Sequence, residues 1–246
     1  MNNTQVLILA GGKGKRLNSQ TQKALYPILG KPIICYILEN LKKAGFKKPV
    51  VVIGHKGKEV QKTLKDEVFY VWQRKRLGTG HAVLCAKKLL EKKGSVLILC
   101  SDMPFWKAKT FKKLIKEHQK SKAVLSLVSV IFENPSFFQY GRILRDKKGK
   151  VLGIIEEKEA TSEQKKIKEC NPACYLIKTG WLFKNLSKIK KSSCGEYYLT
   201  DILGLAVSQD KKINVVPTSD WKEAIGINTK EQLEYAEKIL EQSQRI

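Results

Sequence analysis

An apolar run of strand length, Val6 to Leu9, leads directly into Ala10-Gly11-Gly12-Lys13-Gly14-Lys15-Arg16-Leu17. Glycines lack a Cβ, so successive backbone N–H groups leaving such a strand can converge on an anion. Lys13, Lys15, Arg16 and Lys23 add positive charge around the same point. Together these features predict a polyphosphate cradle built from Leu9, Ala10, Gly11, Gly12 and Gly14, with Lys13, Lys15, Arg16 and Lys23 as the charged groups. Gly-Lys-Ser/Thr is missing, so this is not a Walker A loop. The third glycine of G-x-G-x-x-G would be Leu17, so it is not a dinucleotide fingerprint either. The plainer alternative is a strand that ends in a flexible basic turn.

Two further loops carry chemistry. Gln73-Arg74-Lys75-Arg76-Leu77-Gly78-Thr79-Gly80-His81-Ala82 follows a short strand. Gln73 offers both a donor and an acceptor, which suits the edge of a base. Gly78 and Gly80 admit a flat ligand close to the backbone. Thr79 reads first as a helix N-cap and second as a ligand contact, and His81 as a local structural group. In Cys100-Ser101-Asp102-Met103-Pro104, an aspartate leaving a hydrophobic strand is suited to Mg²⁺, or else to a turn. Asn228 in Gly226-Ile227-Asn228-Thr229 can supply a second oxygen ligand, or can serve only as a turn residue.

The elements that would position these loops alternate. Helical spacing appears at 31–44, 58–64, 80–90 and 107–119, and short apolar strands at 50–53, 68–72 and 96–99. This βαβ pattern predicts an α/β protein with a doubly wound, mostly parallel, Rossmann-like sheet and ligands at the carboxyl ends of its strands. The pattern changes near residue 122. Strands are expected at 123–132, 141–145, 151–156, 173–177 and 213–216, with an amphipathic helix from Glu196 and a closing helix over 229–242. Thr229 should cap that helix, with Gln232 at the capping-box position. A single domain over 1–246 is expected: a first half (1–121), a small β-rich second half (122–228) that covers the substrate, and a C-terminal helix (229–246).

Composition limits the alternatives. The chain has 246 residues, 42% of them hydrophobic, enough for a sizeable core. No apolar run reaches membrane-spanning length and no signal peptide precedes the first strand, so a cytoplasmic protein is expected. Six cysteines without a C-x-x-C pair read as buried thiols in a reducing compartment. A net charge of +24 invites a nucleic-acid reading. The lysines are scattered over every expected helix, however, so a solvated surface favouring small anions accounts for them and no specific nucleic-acid partner is expected.

In order, the motifs Leu9-Ala10-x-Gly12-x-Gly14-x-Arg16…Lys23, Gln73…Leu77-Gly78-Thr79-Gly80-His81-Ala82, Asp102-x-Pro104, Tyr140-Gly141-Arg142-Ile143, Gly153-Ile154-Ile155-Glu156, Glu196-Tyr197-Tyr198-Leu199-Thr200-Asp201 and Gly226-Ile227-Asn228 span almost the whole chain. The set resembles the sugar-1-phosphate nucleotidyltransferases, most closely the uridyltransferase domain of the bacterial N-acetylglucosamine-1-phosphate uridyltransferases. The resemblance implies that Gly12, Gly14 and Arg16 hold the UTP phosphates and that Lys23 acts at the reacting centre. Gln73 and Gly78 would read uracil. Asp102 and Asn228 would hold Mg²⁺. Thr79, Gly141, Glu156 and Asn171 would surround N-acetylglucosamine, making 1–121 the nucleotide-binding half and 122–228 the small β-rich sugar-binding half. From the residues alone, Glu156 reads as one more exposed carboxylate in Glu156-Glu157-Lys158-Glu159.

The implied chemistry agrees with this inventory. A sugar phosphate is already ionised at neutral pH and needs no general base, consistent with only three histidines (His55, His81, His118) and no nucleophilic triad. Three departures from the family pattern stand out. Gln22 replaces the proline before Lys23, which implies a looser loop. Arg76 replaces a second glutamine near the base. Pro172-Ala173 replaces a small residue and glycine after Asn171. No hexapeptide repeat follows Thr229, so neither acetyltransferase activity nor the trimer of that domain is expected, and a monomer or weak dimer is.

Overall fold

The computed structural model describes residues 3–14 and 21–244, with side chains through 242. Strand β1 (Thr4–Ala10) is an inner strand of a ten-stranded sheet. Its side chains alternate between the two faces as strand geometry requires. Val6, Ile8 and Ala10 enter one apolar cluster, and Leu7 the other. Both faces are therefore covered, which explains why β1 reads as an unbroken apolar run.

A hairpin of β2 (Pro27–Ile28) and β3 (Lys31–Pro32) precedes α1 (Ile33–Lys43), so that helix starts two residues later than its spacing suggests. Ile33, Ile34, Ile37 and Leu41 form its buried stripe. Gly45, at φ +94°, lets the Phe46 amide close back on the Leu41 carbonyl and ends the helix. Next come β4 (Val50–Ile53), α2 (Gly57–Leu64) and β5 (Phe69–Trp72). The helix expected over 80–90 is two pieces, α3 (Thr79–Cys85) and α4 (Lys87–Leu90), separated by Ala86 at φ −85°, ψ 0°. Strand β6 (Ser95–Cys100) and helix α5 (Ala108–Ser121) complete the first half. Strands β5, β4, β1 and β6 are all parallel neighbours in that order.

The second half consists of β7 (Leu125–Ile131), β8 (Gly141–Arg145), β9 (Val151–Ile155), α6 (Ser162–Lys165), β10 (Glu169–Asn171), β11 (Tyr175–Lys178), α7 (Thr179–Asn185), α8 (Asp201–Ser208), β12 (Ile213–Pro217) and α9 (Lys230–Gln244). Strand β11 inserts antiparallel between β6 and β7, and β12 runs parallel to β7. Strands β7, β10, β8 and β9 continue as an antiparallel extension. The core strands other than β11 thus share one direction, giving the doubly wound architecture, and the extension is the β-rich part. Two sequence expectations need correction. The helix assigned from Glu196 begins at Asp201, because the backbone of Tyr197 pairs with Leu77 and Gly80 instead. The cysteines are not uniformly buried: Cys170 and Cys174 are, whereas Cys194 is exposed.

Gly226 shows how tightly the C-terminal segment is fitted. A Cβ there would overlap the Tyr140 hydroxyl, which donates to the Ala224 carbonyl at 2.9 Å. Gly226→Ala should destabilise the fold by about 1–3 kcal/mol, the usual range for overpacking. A lowered melting temperature checks this.

Candidate active site

Three loops meet at the carboxyl ends of β1, β5 and β6. The Ser101 amide donates to the Leu9 carbonyl at 3.1 Å, tying the β6 loop to the glycine loop. A Cβ on Gly11 would lie 2.8 Å from Gln73 Oε1, so the absent side chain lets the β5 loop approach. Together the loops form a cleft of about 560 Å³. Among its lining residues are Leu9, Gly11, Gly12, Gly14, Gln73, Gly78 and Thr79, all marked by the sequence. Ala10 does not line it: its side chain is buried and its carbonyl accepts from Gln22. Lys15 and Arg16 lie outside the described residues. Lys13, Lys23, Arg76 and Lys158 face the cleft against the carboxylates Asp102 and Glu196, so cations outnumber acids there.

Lys23 occupies the central position. Its ammonium group is hydrogen-bonded and ion-paired to Asp102 and donates to Asn228 Oδ1 at 2.7 Å. Three residues far apart in sequence thereby converge on one point. The Ile227 amide donates to the Asp102 carbonyl oxygen at 2.9 Å, holding the two oxygen-bearing loops side by side. Gln232 fixes the Asn228 backbone, accepting from its amide at 2.8 Å while donating to the Phe137 carbonyl at 2.7 Å. The capping box expected at Thr229 is therefore only half formed: Thr229 Oγ1 accepts from the Gln232 amide, but the glutamine side chain reaches back to Asn228.

Gln22, which stands where the family pattern has proline, is held by its own side chain. It is 1% exposed. Its Nε2 donates to the Ala10 carbonyl and its Oε1 accepts from the Ala24 amide, each at 2.6 Å. The side chain thus fastens the residues on both sides of Lys23 to the end of β1. Gln22→Ala should lower kcat several-fold while the KM for nucleotide changes little, because the loss acts through Lys23. In a Lys23→Ala background the same change should have almost no further effect. Steady-state kinetics of the four proteins checks both statements.

The loop after β5 is similarly cross-braced. Gln73 is buried, and its Nε2 donates to the Gly78 carbonyl at 2.9 Å and lies 3.1 Å from His81 Nδ1. Gly78 O can only accept, so the amide orientation is determined and Oε1 faces Gly11. Burial lowers the His81 pKa, with Lys75 adding to the effect, which favours a neutral ring able to accept from Gln73. His81 is thus the structural group the sequence suggested. Thr79 is not the N-cap: Gly78 holds that position at φ +94°, and Thr79 Oγ1 accepts from the Leu199 amide at 2.9 Å. A Cβ on Gly78 would lie 2.6 Å from the Tyr197 carbonyl oxygen, so only glycine fits.

A second pocket of about 200 Å³ adjoins the cleft and shares Leu9, Thr79, Cys100 and Asp102 with it. Asn228 lines it as well, and so do Gly141, Glu156 and Asn171, so that with Thr79 all four residues assigned to the sugar come together. Asn171 Nδ2 donates to the Tyr175 hydroxyl at 2.5 Å, and its Oδ1 accepts from the Ala173 amide at 3.2 Å. A Cβ on Gly141 would lie 2.8 Å from Ile154 and 3.6 Å from Glu156 Oε2. Glu156 is not the exposed carboxylate its neighbours suggested: it is partly buried and accepts from Thr200 Oγ1 at 2.7 Å. Tyr140, Thr200, Cys100 and Lys158 line these spaces without having been singled out for a role. Burial pushes the Cys100 thiol up to about 12, so it is no thiolate nucleophile at neutral pH.

Burial raises the Glu156 pKa, opposed by the Thr200 hydrogen bond. The folded value lies above the unfolded one, so this group favours folding most below the unfolded pKa of about 4.3. That contribution is lost as pH rises through the folded pKa. Glu156→Gln should therefore melt higher than wild type at pH 7, and the gap should close on acidification. Melting curves between pH 4 and 8 check the sign.

A mostly parallel α/β sheet thus carries, at its strand ends, a glycine-lined cleft rich in cations and a smaller adjoining pocket, an arrangement suited to a phosphate-bearing ligand. Residues 5–243 match the family model described as nucleotidyl transferase, and the chain belongs to that family. It is 42% identical over 235 residues to the bifunctional protein GlmU of Thermoanaerobacter pseudethanolicus, covering 95% of this chain and 51% of the relative. It is 43% identical over 239 residues to that of Caldicellulosiruptor saccharolyticus, covering 95% and 51%. The chain thus spans about half the length of these curated relatives. A crystal structure of UDP-glucose pyrophosphorylase with UDP-glucose superimposes with a TM-score of 0.78 at 18% identity, covering 98% of this chain and 99% of that one, and shows the same fold. Among the described residues, no helix is long and apolar enough to cross a membrane.

Proposed function

We propose that the protein is a Mg²⁺-dependent uridylyltransferase that converts UTP and N-acetylglucosamine-1-phosphate into UDP-N-acetylglucosamine and pyrophosphate. The observation that carries this reading is the convergence of Lys23, Asp102 and Asn228 where the large cleft meets the small pocket. UTP fits the cleft, with its phosphates along Gly12, Gly14 and Lys23 and its base beside Gln73 and Gly78. The sugar fits the pocket among Thr79, Gly141, Glu156 and Asn171. The reaction then takes place at the junction.

Asp102 and Asn228 would hold the metal. Their carboxylate and amide oxygens already meet at a cation, the Lys23 ammonium. Two protein oxygens completed by substrate phosphates suit Mg²⁺, which is commonly bound through one or two carboxylates plus phosphates. When bound, it would supply charge neutralisation and Lewis-acid polarisation of the phosphate oxygens.

The chain's own task is to bring two polyanions together. Lys23 offsets negative charge at the α-phosphate, the amides of the glycine loop orient the triphosphate, and Glu156 and Asn171 hold the sugar with its phosphate directed inward. A phosphate oxygen of the sugar phosphate attacks the α-phosphorus in line, and pyrophosphate leaves. No proton is removed from the nucleophile, so positioning and electrostatics suffice. Pyrophosphate release measured with Mg²⁺ over a panel of nucleoside triphosphates and hexose-1-phosphates tests the proposal. UTP with N-acetylglucosamine-1-phosphate should give the highest kcat/KM. A higher value with glucose-1-phosphate would assign a different sugar, and no turnover with any pair would overturn the reading.

A further inference from the structure

Among the described residues, eight other than glycine adopt positive φ, a conformation unfavourable for any residue with a Cβ. Lys56, Lys65, Lys122 and Asp210 cap or follow helices, and Leu29 and Lys48 lie in connecting loops. The remaining two, Gln139 at φ +54° and Ala173 at φ +55°, line the same 200 Å³ pocket. Backbone strain of this kind persists where the surroundings over-determine it, and it concentrates at binding sites.

The surroundings of Gln139 are unusually well determined. Its neighbours Phe138 and Tyr140 stack on each other, with ring centroids 5.8 Å apart and planes 9° from parallel. Phe138 also packs on Phe132 at 4.6 Å and on Phe137 at 4.9 Å. The Tyr140 hydroxyl donates to the Ala224 carbonyl at 2.9 Å, and the Gln139 amide donates to the Pro135 carbonyl at 3.3 Å. Residues i and i+2 are thereby locked ring on ring. The residue between them takes the left-handed conformation, and this exposed residue is among those lining the pocket that also holds Glu156 and Asn171.

We infer that Gln139 is a specificity-determining residue that hydrogen-bonds a hydroxyl or acylamino group of the bound hexose. Glycine would satisfy the turn without strain, so the turn itself does not call for a glutamine there. Its amide offers a donor and an acceptor together, which matches the paired polar groups of a pyranose. This inference rests on the sugar pocket assigned in the proposed function.

Two variants separate contact from strain. Gln139→Gly removes both the amide and the Cβ, whereas Gln139→Ala removes the amide and keeps the strained Cβ. Calorimetric titration of N-acetylglucosamine-1-phosphate, which needs no turnover, should show affinity falling about tenfold in both, the order expected for one hydrogen bond. UTP affinity should not change, and only the glycine variant should melt higher than wild type. Equal sugar-phosphate affinity in wild type and both variants would reduce Gln139 to a turn residue. Absence of sugar-phosphate binding by wild type would instead overturn the pocket assignment itself.

Discussion

Replacing Lys23 with alanine should lower kcat by about 10²–10³-fold, the loss typical of removing one preorganised donor from a developing anion. The ammonium stands where both spaces open, paired to Asp102 and hydrogen-bonded to Asn228. No other cation is held between these two oxygens among the described residues, so another lysine cannot take over its position. Lys23→Arg should rescue poorly. A planar, forked guanidinium does not reproduce the compact point charge that the Lys23 ammonium places against both Asp102 and Asn228. Pyrophosphate release at saturating substrates checks both variants. Near-wild-type turnover in Lys23→Ala would remove the residue from the reacting centre.

Asp102→Ala should produce the larger loss, taking turnover to the limit of detection. The substitution removes the carboxylate that pairs with Lys23 and the one anionic oxygen of the Asp102–Asn228 pair. Its backbone is held independently, since the Asp102 carbonyl accepts from the Ile227 amide, so the chain should remain folded. Asp102→Asn separates two effects: it retains an oxygen but loses the charge. Its activity should therefore require much higher Mg²⁺ than wild type, read as a shifted metal titration. Circular dichroism together with that titration distinguishes a lost ligand from a lost fold.

Much of the first half is legible in the sequence because its signals are local. Val50–Ile53 and Ser95–Cys100 are short β-branched or apolar runs that are buried, and α1 carries its stripe at helical spacing. The three loops at the strand ends follow from that alternation. The second half is less legible because long-range pairing shapes it. Nothing local announces that Tyr175–Lys178 inserts antiparallel between β6 and β7. Nothing local withholds residues 196–200 from a helix either, since the competing bonds come from Leu77, Thr79 and Gly80.

The same distinction holds within the site. Glycines and an aspartate after strands are visible as residue types, and the structure brings them together. The assignment of Thr79 as a cap failed because its hydroxyl has a partner 120 residues away. Glu156 looked like a surface acid among acids until Thr200 and the pocket around it were placed. Gln22 registered only as a missing proline, because its role depends on the carbonyl of Ala10, twelve residues back.

A crystal structure of the protein with UDP-N-acetylglucosamine and Mg²⁺ tests the central claim most directly. The account predicts the diphosphate at Lys23 beside Asp102 and Asn228, uracil against Gln73 and Gly78, and the sugar ring between Glu156 and Asn171. A diphosphate bound away from Lys23, or a sugar outside the smaller pocket, would contradict it.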